Sequence, residues 1–127
     1  MADNLRKKAF GVCTIDEMLS YAKDPTAVWL DARGEAEITS TGQFVFTDKK
    51  WMHTSCSTFD CPIVKMAAEN MIKDKEAKII VYCSDGRRAM RARNILLEKG
   101  YKHVLNAGGI LTDVHKEKKA FVPADFS

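Results

Sequence analysis

Lys78-Ile79-Ile80-Val81-Tyr82-Cys83 runs without a break into Ser84-Asp85-Gly86-Arg87-Arg88. After the lysine the first segment is apolar at every step, which is how a strand covered on both faces reads. A glycine-containing loop follows. Ala89, Ala92, Ile95 and Leu96 then recur at helical spacing, with Arg91, Asn94 and Glu98 facing out, and predict a helix from about Ala89 to Lys99. Gly100 closes that helix in the left-handed conformation, and Tyr101 folds back on its last turn. Strand, cysteine-headed loop and helix together form a unit of parallel sheets, where ligands bind beyond the carboxyl ends of the strands.

Outward from this unit the same alternation continues. His103 to Asn106 reads as another strand, followed by Gly108-Gly109. Upstream, Ala27 to Asp31 is a buried strand. Thr14 and Glu17 have capping-box spacing, Met18, Leu19 and Ala22 give the helix behind them an apolar side, and Asp24-Pro25 ends it. Gln43 to Thr47 alternates like a short strand. Asp60 or Cys61 can cap a helix with Pro62 in its first turn and Ile63, Val64, Ala67, Met71 and Ile72 on one face. The fold class is therefore α/β, in three layers, with a central parallel sheet flanked by helices on both faces. The 127 residues amount to one domain, with a core over about 10–114 and a polar tail over about 116–127.

Composition narrows the partners. A net charge of +3 is mild, and the basic residues are scattered rather than interleaved with aromatics, so no nucleic-acid partner is expected. No apolar run approaches the roughly 20 residues that span a bilayer, so no membrane partner is expected either. Residues 1–10 are polar and basic with no hydrophobic stretch behind them, which points to a cytoplasmic protein. The four cysteines, Cys13, Cys56, Cys61 and Cys83, are too few and too spread to be a disulfide framework, so reduced thiols are expected. His53, Cys56 and Cys61 lack a C-x-x-C pair and a fourth ligand, so no metal is expected there.

The chemistry gathers at Cys83. If the loop curls back, its N–H groups converge on the sulfur as an anion-binding nest, and the start of the following helix adds its positive end. Both favour the thiolate and so predict a nucleophile. Arg87, Arg88 and Arg91 add positive charge. Free cysteine is also among the most buried residue types, so position at a strand end does not by itself make a catalyst.

The order of residues adds to this. Val81 to Arg88, the helix to Gly100, Tyr101, and Val104 to Gly109 resemble the active-site half of rhodanese-like domains, and Trp29 to Arg33 with Glu37-Ile38 resembles that family's D-x-R element and the step after it. The resemblance spans roughly residues 10 to 114. It implies a single-domain thiosulfate sulfurtransferase, a rhodanese, with Cys83 as catalytic residue and Ser84, Asp85, Gly86, Arg87 and Arg88 as the substrate loop. Asp31 and Arg33 would support the sheet end, with Arg33 also placed to meet Glu37 four residues on. No cofactor is implied. Sulfur would pass from a small anionic donor such as thiosulfate to Cys83, and from its persulfide to cyanide or a cellular thiol, a protein thiol included. Two features depart from the family. Thr41 to Cys56 replaces a Gly-His-Ile, Gly-Ala segment at the rim, which leaves the acceptor open, and Asp85 puts a negative charge into an anion-attracting loop.

Two other functions fit a related scaffold. A dual-specificity phosphatase or arsenate reductase of the cell-cycle phosphatase type has a His before the cysteine and a loop one residue longer, whereas here Tyr82 precedes and the loop closes on Arg88. A non-enzymatic module that binds a protein, or carries a persulfide to one, shares the fold. Such binding modules usually lack the cysteine.

Overall fold

The computed structural model describes residues 2–41, 50–56, 61 and 72–114. In chain order these form α1 (Ala2–Phe10), α2 (Ile15–Ala22), β1 (Val28–Asp31), α3 (Glu35–Thr41), β2 (Lys50–His53), β3 (Lys78–Cys83), α4 (Arg87–Glu98) and β4 (His103–Gly109), and then a π-helical turn, Ile110–Val114. The strands make one parallel sheet in the order β2-β1-β3-β4. β1 and β3 lie inside it, and their residues from Val28 to Asp31 and from Ile79 to Cys83 are all buried, as the unbroken apolar runs require.

Strand side chains alternate between two cores. One holds Val28, Leu30, Ile79, Val81 and Cys83 against Ala89, Ala92, Ile95 and Leu96 of α4. The other holds Trp29, Ile80 and Tyr82 against Met18 and Ala22 of α2 and Ile110 and Val114 of the π-helical turn. The sheet therefore has helical cover on both faces, the three-layer α/β arrangement that the strand–helix alternation implies. Trp29 and Tyr82 meet edge to face across neighbouring strands, with ring centroids 6.4 Å apart.

Local signals form as their chemistry requires. Thr14 accepts the Glu17 N–H while the Glu17 carboxylate accepts the Thr14 N–H, a complete capping box. Gly100, at φ +94°, takes the left-handed turn after α4, and Tyr101 N–H donates back to the Leu96 carbonyl.

Several boundaries differ from expectation. α4 begins at Arg87, two residues early, because Gly86 at φ +99° supplies the turn that starts it. β4 runs on to Gly109, because a register shift between Val81 and Cys83 lets it stay paired with β3. The polar N-terminus is helical in α1. The expected strand over 43–47, most of the expected helix over 60–72 and the tail over 116–127 lie outside the described residues. Cys56 and Cys61 are joined as a disulfide, which corrects the expectation of reduced thiols for that pair, both buried with their Cα atoms 4.5 Å apart, while Cys13 and Cys83 are free. Among the described residues no helix is long and apolar enough to cross a membrane, and no cluster of His, Cys, Asp and Glu could hold a metal ion.

Candidate active site

Cys83 ends β3, so its side chain arrives at the carboxyl edge of the sheet, between the last strand residue and the first turn of α4. Its sulfur accepts two backbone hydrogen bonds, from Gly86 N–H at 3.1 Å and Ala89 N–H at 3.4 Å. Ala89 N–H belongs to the first helical turn, whose amides have no carbonyl to bond to. The N-cap residue of α4 is Gly86, which has no side chain to accept a helix N–H. The sulfur takes the place of a capping oxygen there, and it meets the positive end of the helix.

Not every N–H of the loop converges on the sulfur. Arg87 N–H donates to Asp85 Oδ1 at 3.0 Å instead of to the sulfur, and the same oxygen lies 4.0 Å from Cys83 Sγ. Cys83 itself is fully buried while Asp85 is exposed.

The two arginines of the loop part company. Arg88 turns to Glu37 and forms a bidentate pair, Nη1 to Oε1 and Nη2 to Oε2. Ser84 Oγ donates to Glu37 Oε2 at 2.6 Å and accepts from Arg88 Nη2 at 2.9 Å. Arg88, with Ser84 and Gly34 N–H behind it, holds the Glu37 carboxyl at about 2, against an ordinary value of 4.5. The same pair raises Arg88. Arg87 packs its guanidinium over the Phe10 ring, 5.1 Å from the centroid.

Glu37 therefore does not serve Arg33, which corrects the expected i,i+4 pair. Arg33 bonds Asp31 instead: Nε reaches Oδ1 at 3.0 Å and Nη2 reaches Oδ2 at 2.7 Å, both side chains buried. His53 Nε2 meets the Arg33 carbonyl at 2.7 Å, and Thr54 N–H donates to the Asp31 carbonyl, so the main chain at these two positions ties the end of β1 to β2.

Sequence reasoning missed three supports of the loop. Asn106, buried in β4, donates its Nδ2 to the Gly86 carbonyl at 2.8 Å and to the Phe10 carbonyl at 3.0 Å. Arg6 of α1 donates Nη1 to the Asp85 carbonyl at 2.6 Å and pairs through Nη2 with Asp113 at 3.0 Å. Asp113 in turn accepts Gly109 N–H at 2.7 Å. A buried asparagine within an apolar strand was the one legible signal, since such a side chain needs partners.

Gly108 and Gly109 have a steric reason. A Cβ on Gly109 would strike the Ser84 carbonyl, and one on Gly108 would strike the Asp113 carboxylate. The backbone of β4 can pass behind the cysteine loop only without side chains there.

The comparisons with known proteins fit this geometry. The model of the family described as "Rhodanese-like domain" matches residues 14–114. The chain belongs to the rhodanese-like domain family. Among curated relatives of this rhodanese-like chain, the tRNA uridine(34) hydroxylase of Hamiltonella defensa subsp. Acyrthosiphon pisum is 34% identical over 113 residues, 88% of this chain and 29% of that protein. The enzyme of the same name from Cronobacter sakazakii is 28% identical over 133 residues, 99% of this chain and 36% of that protein. The chain thus spans about a third of the length of these relatives. Among solved structures, a rhodanese with anions from E. coli is 26% identical with TM-score 0.53, covering 80% of this chain and 100% of that one. The polysulfide-sulfur transferase homodimer of Wolinella succinogenes, 19% identical, has the same fold at TM-score 0.60, covering 97% of this chain and 88% of that one.

Proposed function

We propose that this protein is a sulfurtransferase that carries sulfane sulfur as a persulfide on Cys83. The observation that carries the reading is the sulfur of Cys83 accepting two N–H groups at the start of α4. Such donors stabilise a thiolate, and equally the negative sulfur of a persulfide. The thiolate attacks the outer sulfur of a donor and a Cys83–S bond forms. The bond from that sulfur to its leaving group breaks, and the electron pair departs on sulfite from thiosulfate, on a thiolate from a hydropersulfide, or on the enolate of pyruvate from 3-mercaptopyruvate. An acceptor, cyanide or a thiol, then attacks the outer sulfur and returns the Cys83 thiolate. Gly86 and Ala89 supply the N–H groups, Ser84 and Arg88 brace the loop on Glu37, and Arg87 is the exposed cation at the mouth. These steps call on no cofactor.

The phosphatase alternative is less well supported. A phosphate brings three oxygens to satisfy, while Arg87 N–H is already given to Asp85 and Arg88 to Glu37.

The test is thiocyanate formation from cyanide with thiosulfate, 3-mercaptopyruvate and an alkyl hydropersulfide as donors. Turnover with at least one donor, abolished in Cys83→Ser but kept in Cys13→Ser, is expected. Turnover that survives Cys83→Ser would move the chemistry elsewhere.

A second reading is part in tRNA modification, which the name of the Hamiltonella relative suggests. The identity over 113 residues favours it. Retention of tRNA in a gel shift at moderate salt would support it, and no retention would leave sulfur carriage alone.

A further inference from the structure

The exposed carboxylate of Asp85 lies beside the buried sulfur of Cys83. Its Oδ1 is 4.0 Å from the sulfur and holds the Arg87 N–H at 3.0 Å. The backbone beneath it is pinned on both sides, the Asp85 carbonyl by Arg6 at 2.6 Å and the Gly86 carbonyl by Asn106 at 2.8 Å. Of the two loop cations Arg88 is paired with Glu37, which leaves Arg87, exposed over the Phe10 ring, as a single positive charge against an incoming dianion. A donor that reaches the sulfur therefore meets a hydrogen-bond acceptor with a negative charge.

We propose that Asp85 selects the sulfur donor by its proton: the site takes a hydropersulfide, R–S–SH, whose S–H donates to Asp85 Oδ1, and turns away thiosulfate. This rests on the reading of Cys83 as the sulfur carrier. The step is Cys83–S⁻ + R–S–SH → Cys83–S–SH + R–S⁻. The Cys83 thiolate attacks the outer sulfur, the R–S to S bond breaks, and its electron pair leaves on R–S⁻. The proton stays on the transferred sulfur, facing Asp85. No oxidant or reductant enters.

The chemistry of the two donors decides the preference. A hydropersulfide is electrophilic at its outer sulfur when protonated, and an acceptor carboxylate favours that form by taking the S–H. Its anion, R–S–S⁻, would be repelled by both the thiolate and Asp85. Thiosulfate has no proton to offer at neutral pH and brings two negative charges to a carboxylate. Specificity of this kind comes from repulsion of the wrong donor as much as from attraction of the right one.

The experiment measures single-turnover loading of Cys83 in the full chain by intact mass, with thiosulfate and with N-acetylcysteine hydropersulfide as separate donors. Hydropersulfides are the more reactive with any thiol, so the readout is how the ratio of the two rates changes on substitution. Asp85→Asn keeps an oxygen for the Arg87 N–H, removes the negative charge and puts an NH2 donor in place of the second oxygen. It is expected to speed loading from thiosulfate tenfold or more, to slow loading from the hydropersulfide, whose S–H loses its charged acceptor, and so to shrink the ratio more than tenfold. Asp85→Ser, which also retains an oxygen, should shift the ratio the same way if the first variant folds poorly. An unchanged ratio in a folded variant overturns the proposal. The underlying reading fails separately: neither donor would load Cys83 in the wild type, or Cys83→Ser would gain sulfur equally well, and the donor proposal would fall with it.

Discussion

At the scale of single residues, Glu37 joins three parts of the site, accepting from Arg88, Ser84 and the Gly34 N–H. Its carboxyl is held at about 2 when folded, below its ordinary 4.5. A carboxyl lowered on folding stabilises the fold fully above its unfolded value, and that stabilisation is lost as pH falls through the folded one. Between about pH 4.5 and 2 the wild type should therefore lose more stability than Glu37→Gln. The half-exposed pair is screened by solvent, so the difference should be on the order of 1 kcal/mol. Denaturant melts of both proteins across that range check it, and parallel curves would deny the pair its role. Cys13 provides a second contrast. Burial pushes its thiol up to about 12, with Glu17 adding to the effect. Peptide mapping after iodoacetamide at neutral pH should find Cys83 labelled ahead of Cys13, and the reverse order would contradict the nest around Cys83.

At the scale of elements, the cysteine loop keeps its shape because β4 and α1 press on it from behind. Gly109→Ala puts a methyl group against the Ser84 carbonyl, a backbone atom that cannot swing away. Overpacking of this kind costs about 1–3 kcal/mol, and here the displaced atoms are those of the loop itself. Sulfur transfer should fall with stability. Gly100→Ala is the control: φ is +94° but the space is open, so it should cost about 1 kcal/mol and leave activity intact. Equal loss of activity in both would show that only stability was being read. The longest reach of α1 to the loop is the Arg6 guanidinium, which bridges the Asp85 carbonyl and Asp113. Hydrogen bonds to charged groups contribute about 1.5–3 kcal/mol. Arg6→Ala should slow loading of Cys83 roughly tenfold, measured in a single turnover, whereas Lys8→Ala on the same helix should not. Equal rates in wild type and Arg6→Ala would mean that α1 does not brace the loop.

At the scale of the whole molecule, what could be read from sequence was what neighbouring residues determine. β3, α4 and its glycine stop, and the capping box of α2 each rest on residues within one helix or strand. Cys83 at the mouth of the sheet follows from the strand that precedes it. The supports of the site were hidden because their partners are far apart in sequence. Glu37 and Arg88 are separated by 51 positions and Arg6 and Asp85 by 79, and periodicity carries no information about such pairs. Arg33 shows the cost of reasoning locally: Glu37 lay at helical spacing, but Asp31 sits two residues away in the buried strand end and takes the guanidinium instead. α1 went unrecognised because its contacts reach residues far away in sequence, Arg6 and Lys7 to Asp113, Arg6 to the Asp85 carbonyl and the Phe10 carbonyl to Asn106. The pairing of Cys56 with Cys61 needed the fold around it to bring both under cover. The most direct measurement of sulfur carriage on Cys83 is the mass of the intact protein, with the modified residue located by peptide fragmentation, after exposure to a sulfane-sulfur donor. The expected result is one added sulfur atom on Cys83, removed by cyanide as thiocyanate. No sulfur gained from any donor, together with steady hydrolysis of an aryl phosphate, would contradict it.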